Sequence, residues 1–186
     1  MALTKLYSAA QWSALALFAA VGGMHIAALL GLAAPPAGAL FATFPVVTFG
    51  QIVVMAGLNG GSLRGDGTRL TMTKSFRSGL AALRLVPVGW KAFGLPFWFV
   101  YMPATFISRV VKSGGGVVDE RDGQLVLIDH GRVIRTLTEA QAVSIRGDEF
   151  LIGSVIVVGL AFAHFICLRY IVPNRVQILA EVGAVA

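Results

Sequence analysis

"FLIGSVIVVGLAFAHFICLRYIV", residues 150–172, decides the fold class. The run holds no acid, and its only ionisable groups short of the last turn are His164 and Cys167. A helix crosses about 30 Å of hydrocarbon at ~1.5 Å per residue, so roughly 20 apolar residues suffice. This stretch meets that length, and Pro173 closes it.

Working outward, three more stretches have the same character. Ala10 to Leu32 is apolar and ends at "AAPPAG", where Pro35 and Pro36 break a helix. Gly38 to Leu58 follows at once, which predicts a tight helical hairpin. Lys91 to Val111, "KAFGLPFWFVYMPATFISRVV", is aromatic-rich and carries Pro96 and Pro103. The first stretch is too long for the ~7–15-residue core of a signal peptide, and another apolar run follows it directly, so it reads as a retained helix. The whole chain agrees: of 186 residues 56% are hydrophobic and only 13% charged, with a mean hydropathy of +0.79. Soluble domains carry about 25% charged residues. The expectation is an all-α membrane protein of four transmembrane helices with a small extracytoplasmic β-hairpin plus helix.

The organisation that follows is a transmembrane hairpin over 1–58 (spans 10–32 and 38–58), a basic segment over 59–90, a third span over 91–111, a polar element over 112–149, a fourth span over 150–172 and a tail over 173–186. Lysine and arginine set orientation, acids contributing little. Nine lie at the N-terminus, in 59–91 and in the tail, against six between Arg109 and Arg146. That balance places both termini in the cytoplasm of a bacterial inner membrane and 112–149 outside. The net charge of +6 clusters at membrane ends, so it marks topology rather than nucleic-acid binding.

Within the basic segment, Met72, Phe76, Leu80 and Leu83 share one helical face, with Lys74, Arg77 and Arg84 opposite. Such a helix lies in the headgroup layer with its cations near anionic lipid; the plainer reading is a positive loop that only fixes topology. In the outer segment, "QLVLID" and "RVIRTLT" are β-rich and flank His130-Gly131, a hairpin turn. Thr138 and Gln141 have capping-box spacing. A lone hairpin is marginal in water, so it must pack on the capped helix, the membrane surface or a partner.

Small residues recur every fourth position in the first span, at Ala19, Gly23, Ala27 and Gly31, and in the last at Gly159 and Ala163. In lipid, helices associate largely through close backbone packing of such residues, so these are the candidate packing faces. His25 lies across the helix from Gly23, which gives the first span two sides that need protein.

An ionisable residue inside a span is a functional candidate by default. For His25 and His164 the first reading is structural, a neutral imidazole hydrogen-bonded to a neighbouring helix. The second is a proton, quinone or ligand role, and the third is ligation of haem b. Two ligands of one iron must meet at one depth, whereas the predicted span limits offset these histidines by an order of 10 Å. Cys167 is read as a packing residue, and a single cysteine cannot form an intrachain disulfide or a Cys-pair metal site. "GLNGGSLRGDG" lacks the Gly-Lys-Ser/Thr ending of a phosphate loop, and no His-Glu-x-x-His is present. The acids fall in loops and tail, outside the expected spans, which argues against an ion-coupled pump.

The leading functional expectation is therefore a non-catalytic membrane subunit or accessory protein, its partners the bilayer and other membrane proteins or further copies of itself. The alternatives are a haem-b or quinone-associated anchor using His25 and His164, and a small self-associating channel or carrier built on the proline-bearing third span. No complete motif specifies catalysis, a metal or a cofactor.

Overall fold

A computed structural model describes residues 2–32, 35–58, 80–113, 116–174 and 176–178. The chain is mostly helical with one small antiparallel sheet. Its longer α-helices among the described residues are α1 (Ala2–Leu29), α2 (Phe44–Leu58), α3 (Val88–Pro96), α4 (Met102–Ser113) and α5 (Glu139–Ile166). A 3-10 turn (Ala37–Thr43) leads into α2, and a π segment (Phe97–Tyr101) joins α3 to α4. Among the described residues three helical stretches are long and apolar enough to cross a membrane: Lys5–Leu29, Ala37–Leu58 and Glu139–Asn174. The expected third span lies inside the helical run from Val88 to Ser113 but is not among these three. Lys91, Arg109 and Lys112, together with its prolines, lower the hydropathy that its phenylalanines supply.

The end of α1 is set by a glycine rather than by the prolines. Gly31 takes φ 77°, its N–H donates to Ala28 O (3.1 Å), and the Leu32 N–H donates to Ala27 O (3.0 Å). That pair of bonds is a Schellman cap, which satisfies carbonyls the helix leaves open and stops it three residues before the expected limit. In the third helical run, Pro96 and Pro103 each lack an N–H donor, and the ladder between them widens to π geometry.

The chain divides into two compact units, each drawn from distant segments. The first comprises Met1–Leu17, Pro45–Pro96 and Leu160–Ala186. Its core sets Ala10 against Val53, Val54 and Leu168, with Tyr7, Phe49, Cys167 and Val172 around them. Two glycines let backbones close in. A Cβ at Gly57 would stand 2.6 Å from Val172 Cγ1, and one at Gly94 would stand 2.7 Å from the Phe162 ring. Trp90 and Phe93 complete an aromatic cluster on Phe162, with centroids 5.7 and 5.2 Å away.

The second unit comprises Phe18–Phe44 and Phe97–Gly159 and contains the sheet. It has three strands where the sequence predicted two: β1 (Val117–Arg121), β2 (Gln124–Asp129) and β3 (Arg132–Thr136), in the order β1-β2-β3. Both connections are two-residue turns with positive φ at each position, Asp122 (52°)-Gly123 (74°) and His130 (48°)-Gly131 (81°). This is type I′ geometry, whose twist suits paired strands. The sheet covers its apolar face with the capped helix, packing Leu127 and Leu137 on Ala142 and Ile145 of α5. The capping box is formed: Gln141 N–H donates to Thr138 Oγ1 (3.3 Å) and Thr138 N–H to Gln141 Oε1 (3.0 Å). The helix after the sheet runs without a break into the last apolar run as α5, and the end of that run takes π geometry over Cys167–Ile171.

Candidate functional site

In the second unit, three backbone segments converge on one imidazole. His25, on α1, is 5% exposed. Its Nδ1 lies 2.7 Å from Ser154 Oγ on α5, and its Nε2 lies 2.5 Å from Tyr101 OH in the π segment. Ser154 is fully buried, and its Oγ also lies 3.2 Å from Leu151 O. A neutral imidazole has one N–H and one lone pair, so one ring nitrogen donates and the other accepts, and the two hydroxyls complement either tautomer. The contacts link Tyr101, His25, Ser154 and the α5 backbone. Chemically the arrangement is a three-segment clamp that keeps a neutral ring satisfied on both nitrogens.

One to two turns earlier on α5 sits an acid that the sequence placed in a loop. Asp148 is 3% exposed on the helix that carries the last apolar run, two residues before the expected span 150–172, which corrects its placement in a loop. Arg109 Nη1 donates to its Oδ1 at 2.5 Å. Its Oδ2 is 3.3 Å from Lys112 Nζ, within ion-pair reach but not aligned for a hydrogen bond. Arg109 and Lys112 are three apart on α4, so one helical face delivers both cations. The neighbouring Glu149 turns instead to β1, where its Oε1 accepts the Val118 N–H (3.1 Å).

The second histidine belongs to the first unit. His164 is 5% exposed, and its Nε2 donates to Gln51 Oε1 of α2 at 2.9 Å. The ring lies against Gly50, where an added Cβ would meet Nδ1 at 2.7 Å. A glycine is thus what lets the imidazole approach α2. No family model matches the chain. No curated protein and no solved structure is similar to it either.

The small residues singled out in the sequence divide. Gly159 packs, its Cβ position 3.2 Å from Trp98 and 3.3 Å from Phe97. Ala163 is half-buried. On α1 the series faces the other way: Ala19 and Gly23 are exposed, Ala27 is half-buried, and Gly31 is the exposed helix cap. Nothing lies within 4 Å of a Cβ at Gly23. The buried residues of α1 are instead Ala10, Ala14, Val21 and His25. Glycines that do make close helix approaches include Gly50, Gly57, Gly94 and Gly153, none of which stood out in a glycine-rich sequence. Gly153 meets Leu40 Cδ1 at 2.6 Å. Of the basic segment, Lys74 and Arg77 lie outside the described residues with most of the expected amphipathic helix. Residues 80–85 are helical, with Arg84, Leu80 and Leu83 exposed and Ala82 buried. Among the described residues no three His, Cys, Asp or Glu side chains gather as metal ligands.

Proposed function

We propose that the chain is a non-catalytic integral membrane subunit or scaffold of a larger assembly. The observation that carries this reading is the contrast between the two sides of α1. One side is consumed internally by the His25 clamp, while the Ala19–Gly23 side is open to the outside of the chain. Small residues on an apolar helix permit the close backbone approach by which helices associate in lipid.

The membrane placement is supported by where the apolar surface lies. Only 17% of the best apolar window is buried in each of the first two candidate helices, against 56% in the last. Trp12, Ile26, Phe41, Phe44 and Phe99 are all more than half exposed. Water would penalise such a surface, and hydrocarbon does not. The run from Val88 to Ser113 counts 26 helical residues, about 39 Å of rise, and supplies the fourth crossing. Four crossings return both termini to the side rich in lysine and arginine, the cytoplasmic side of a bacterial inner membrane, with the sheet outside.

The haem alternative requires a free ring nitrogen on each histidine. Both nitrogens of His25 are within hydrogen-bond distance of protein, which favours the structural reading. Purification from native membranes in mild detergent tests the proposal. The expected result is a colourless chain that co-purifies with other membrane protein or with itself, and loses that company in Gly23→Ile. A stable lone monomer with intrinsic activity, or a Soret band, overturns it.

A further inference from the structure

A second feature of the Phe97–Gly159 unit remains unused by the clamp. A groove of about 630 Å3 runs between the capped end of α1, the Pro35-Pro36 segment and the first turns of α5. That is the size of ordinary small-ligand sites, about 300–1,000 Å3. Leu29, Leu32 and Leu151 line it on the apolar side, and Arg109, Arg146 and Asp148 on the polar side. Lys112 adds its ammonium beside Asp148. Arg109 and Lys112 pair with the one carboxylate, Arg109 Nη1 at 2.5 Å, while Arg146 lines the groove with no acid paired to it among the described contacts. A guanidinium has five N–H donors in a planar fork, so Arg109 keeps an edge for a second anion after this bond.

The groove also sits at the capped end of α1 and where α4 and α5 change from apolar to polar. Helix α1 stops at Leu29 ahead of its Gly31 cap, α4 carries Arg109 and Lys112 in its last turns, and α5 passes from Arg146 and Asp148 into its apolar run. We infer that this groove seats an anionic phospholipid, its phosphate between Arg146 and Arg109 and an acyl chain along Leu29, Leu32 and Leu151. The inference rests on the membrane placement above but not on the subunit role. Asp148 orients Arg109 and reduces the surplus of positive charge, which selects a singly charged headgroup over a highly charged anion.

The test uses the full chain in detergent, titrated with phosphatidylglycerol or phosphatidylcholine and read by native mass spectrometry. Phosphatidylglycerol is expected to be retained preferentially. Arg146→Gln, at an exposed position that leaves the ion pair intact, should weaken that retention about fivefold, the effect of roughly one interfacial cation. Arg146→Lys should restore most of it, and Lys5→Gln, which removes the same charge elsewhere, should change nothing. Equal retention of the two lipids, or an equal loss in Lys5→Gln, overturns the inference. So does displacement of phosphatidylglycerol by millimolar inorganic phosphate, which would mean that the groove reads a free anion. A chain that is monodisperse in buffer without detergent would instead remove the membrane placement itself.

Discussion

Replacing His25 by phenylalanine keeps a ring of similar size on α1 and deletes both nitrogens of the clamp. Two hydrogen bonds are lost, at 2.7 Å to Ser154 and 2.5 Å to Tyr101. Ser154 Oγ still has Leu151 O at 3.2 Å, whereas the hydroxyl of half-buried Tyr101 loses its imidazole partner. Interhelical hydrogen bonds in membrane proteins average about 0.6 kcal/mol and reach about 1.7 kcal/mol. An orphaned buried polar group costs about 1–3 kcal/mol. The single substitution should therefore destabilise by about 2–3 kcal/mol in an SDS titration of folded protein in mild micelles, followed by circular dichroism. The decisive comparison is the double variant His25→Phe/Tyr101→Phe. Removing the stranded hydroxyl should recover about 1 kcal/mol, because exchanging both partners for apolar groups is far cheaper than exchanging one. If Tyr101→Phe adds its own full cost on top of His25→Phe, the two side chains are energetically independent and the clamp does not exist.

Other consequences are checked the same way. Gly50→Ala would place a Cβ 2.7 Å from His164 Nδ1 and should cost about 1–3 kcal/mol, while Gly23→Ala meets nothing and should be neutral or stabilising by up to about 1 kcal/mol; equal effects at the two positions would refute the packing described. Arg109→Gln removes the 2.5 Å partner of buried Asp148. Because Arg109 is about a quarter exposed and Lys112 remains nearby, we expect a loss of about 1–3 kcal/mol, below the ~3–5 kcal/mol of a fully buried pair, with partial recovery in Arg109→Gln/Asp148→Asn. Thr138→Ala should cost about 0.5–2 kcal/mol and speed amide exchange at Gln141, whose N–H the cap holds. For orientation, Gly123→Cys in a Cys167→Ala background should react with an impermeant thiol reagent in intact spheroplasts; protection until the membrane is opened would invert the topology.

Local features were readable from the sequence because their causes are local. The capping box needs only Thr138 and Gln141 at the right spacing, and the His130-Gly131 turn needs only a pair of residues that tolerate positive φ. The first strand was equally readable, since Asp122-Gly123 between "VVDER" and "QLVLID" is a strong hairpin signal. Three of its five residues, Asp119, Glu120 and Arg121, are charged, which masks the β-rich pattern that marks the other two strands. Gly31 carried both its possible roles in the sequence, and only backbone geometry distinguishes a packing residue from a helix cap. Asp148 was not readable in the same way. An acid beside Arg146 and Gly147 looks like a loop residue until α5 runs through it and brings it to Arg109, far away along the chain. Likewise, nothing local separates Gly50 or Gly94, which meet a ring, from Gly22 or Gly89, which meet nothing.

Because α5 runs unbroken from the sheet's apolar underside to Ser154, the number of residues between Ile145 and Ser154 acts as a gear ratio. Adding a single residue at Gly147 would advance everything beyond it by about 1.5 Å and turn it by about 100°. Either the strands or the imidazole could then keep their seat, but not both. Natural variation in length should thus be admitted at the Asp122-Gly123 tip and forbidden along this shaft.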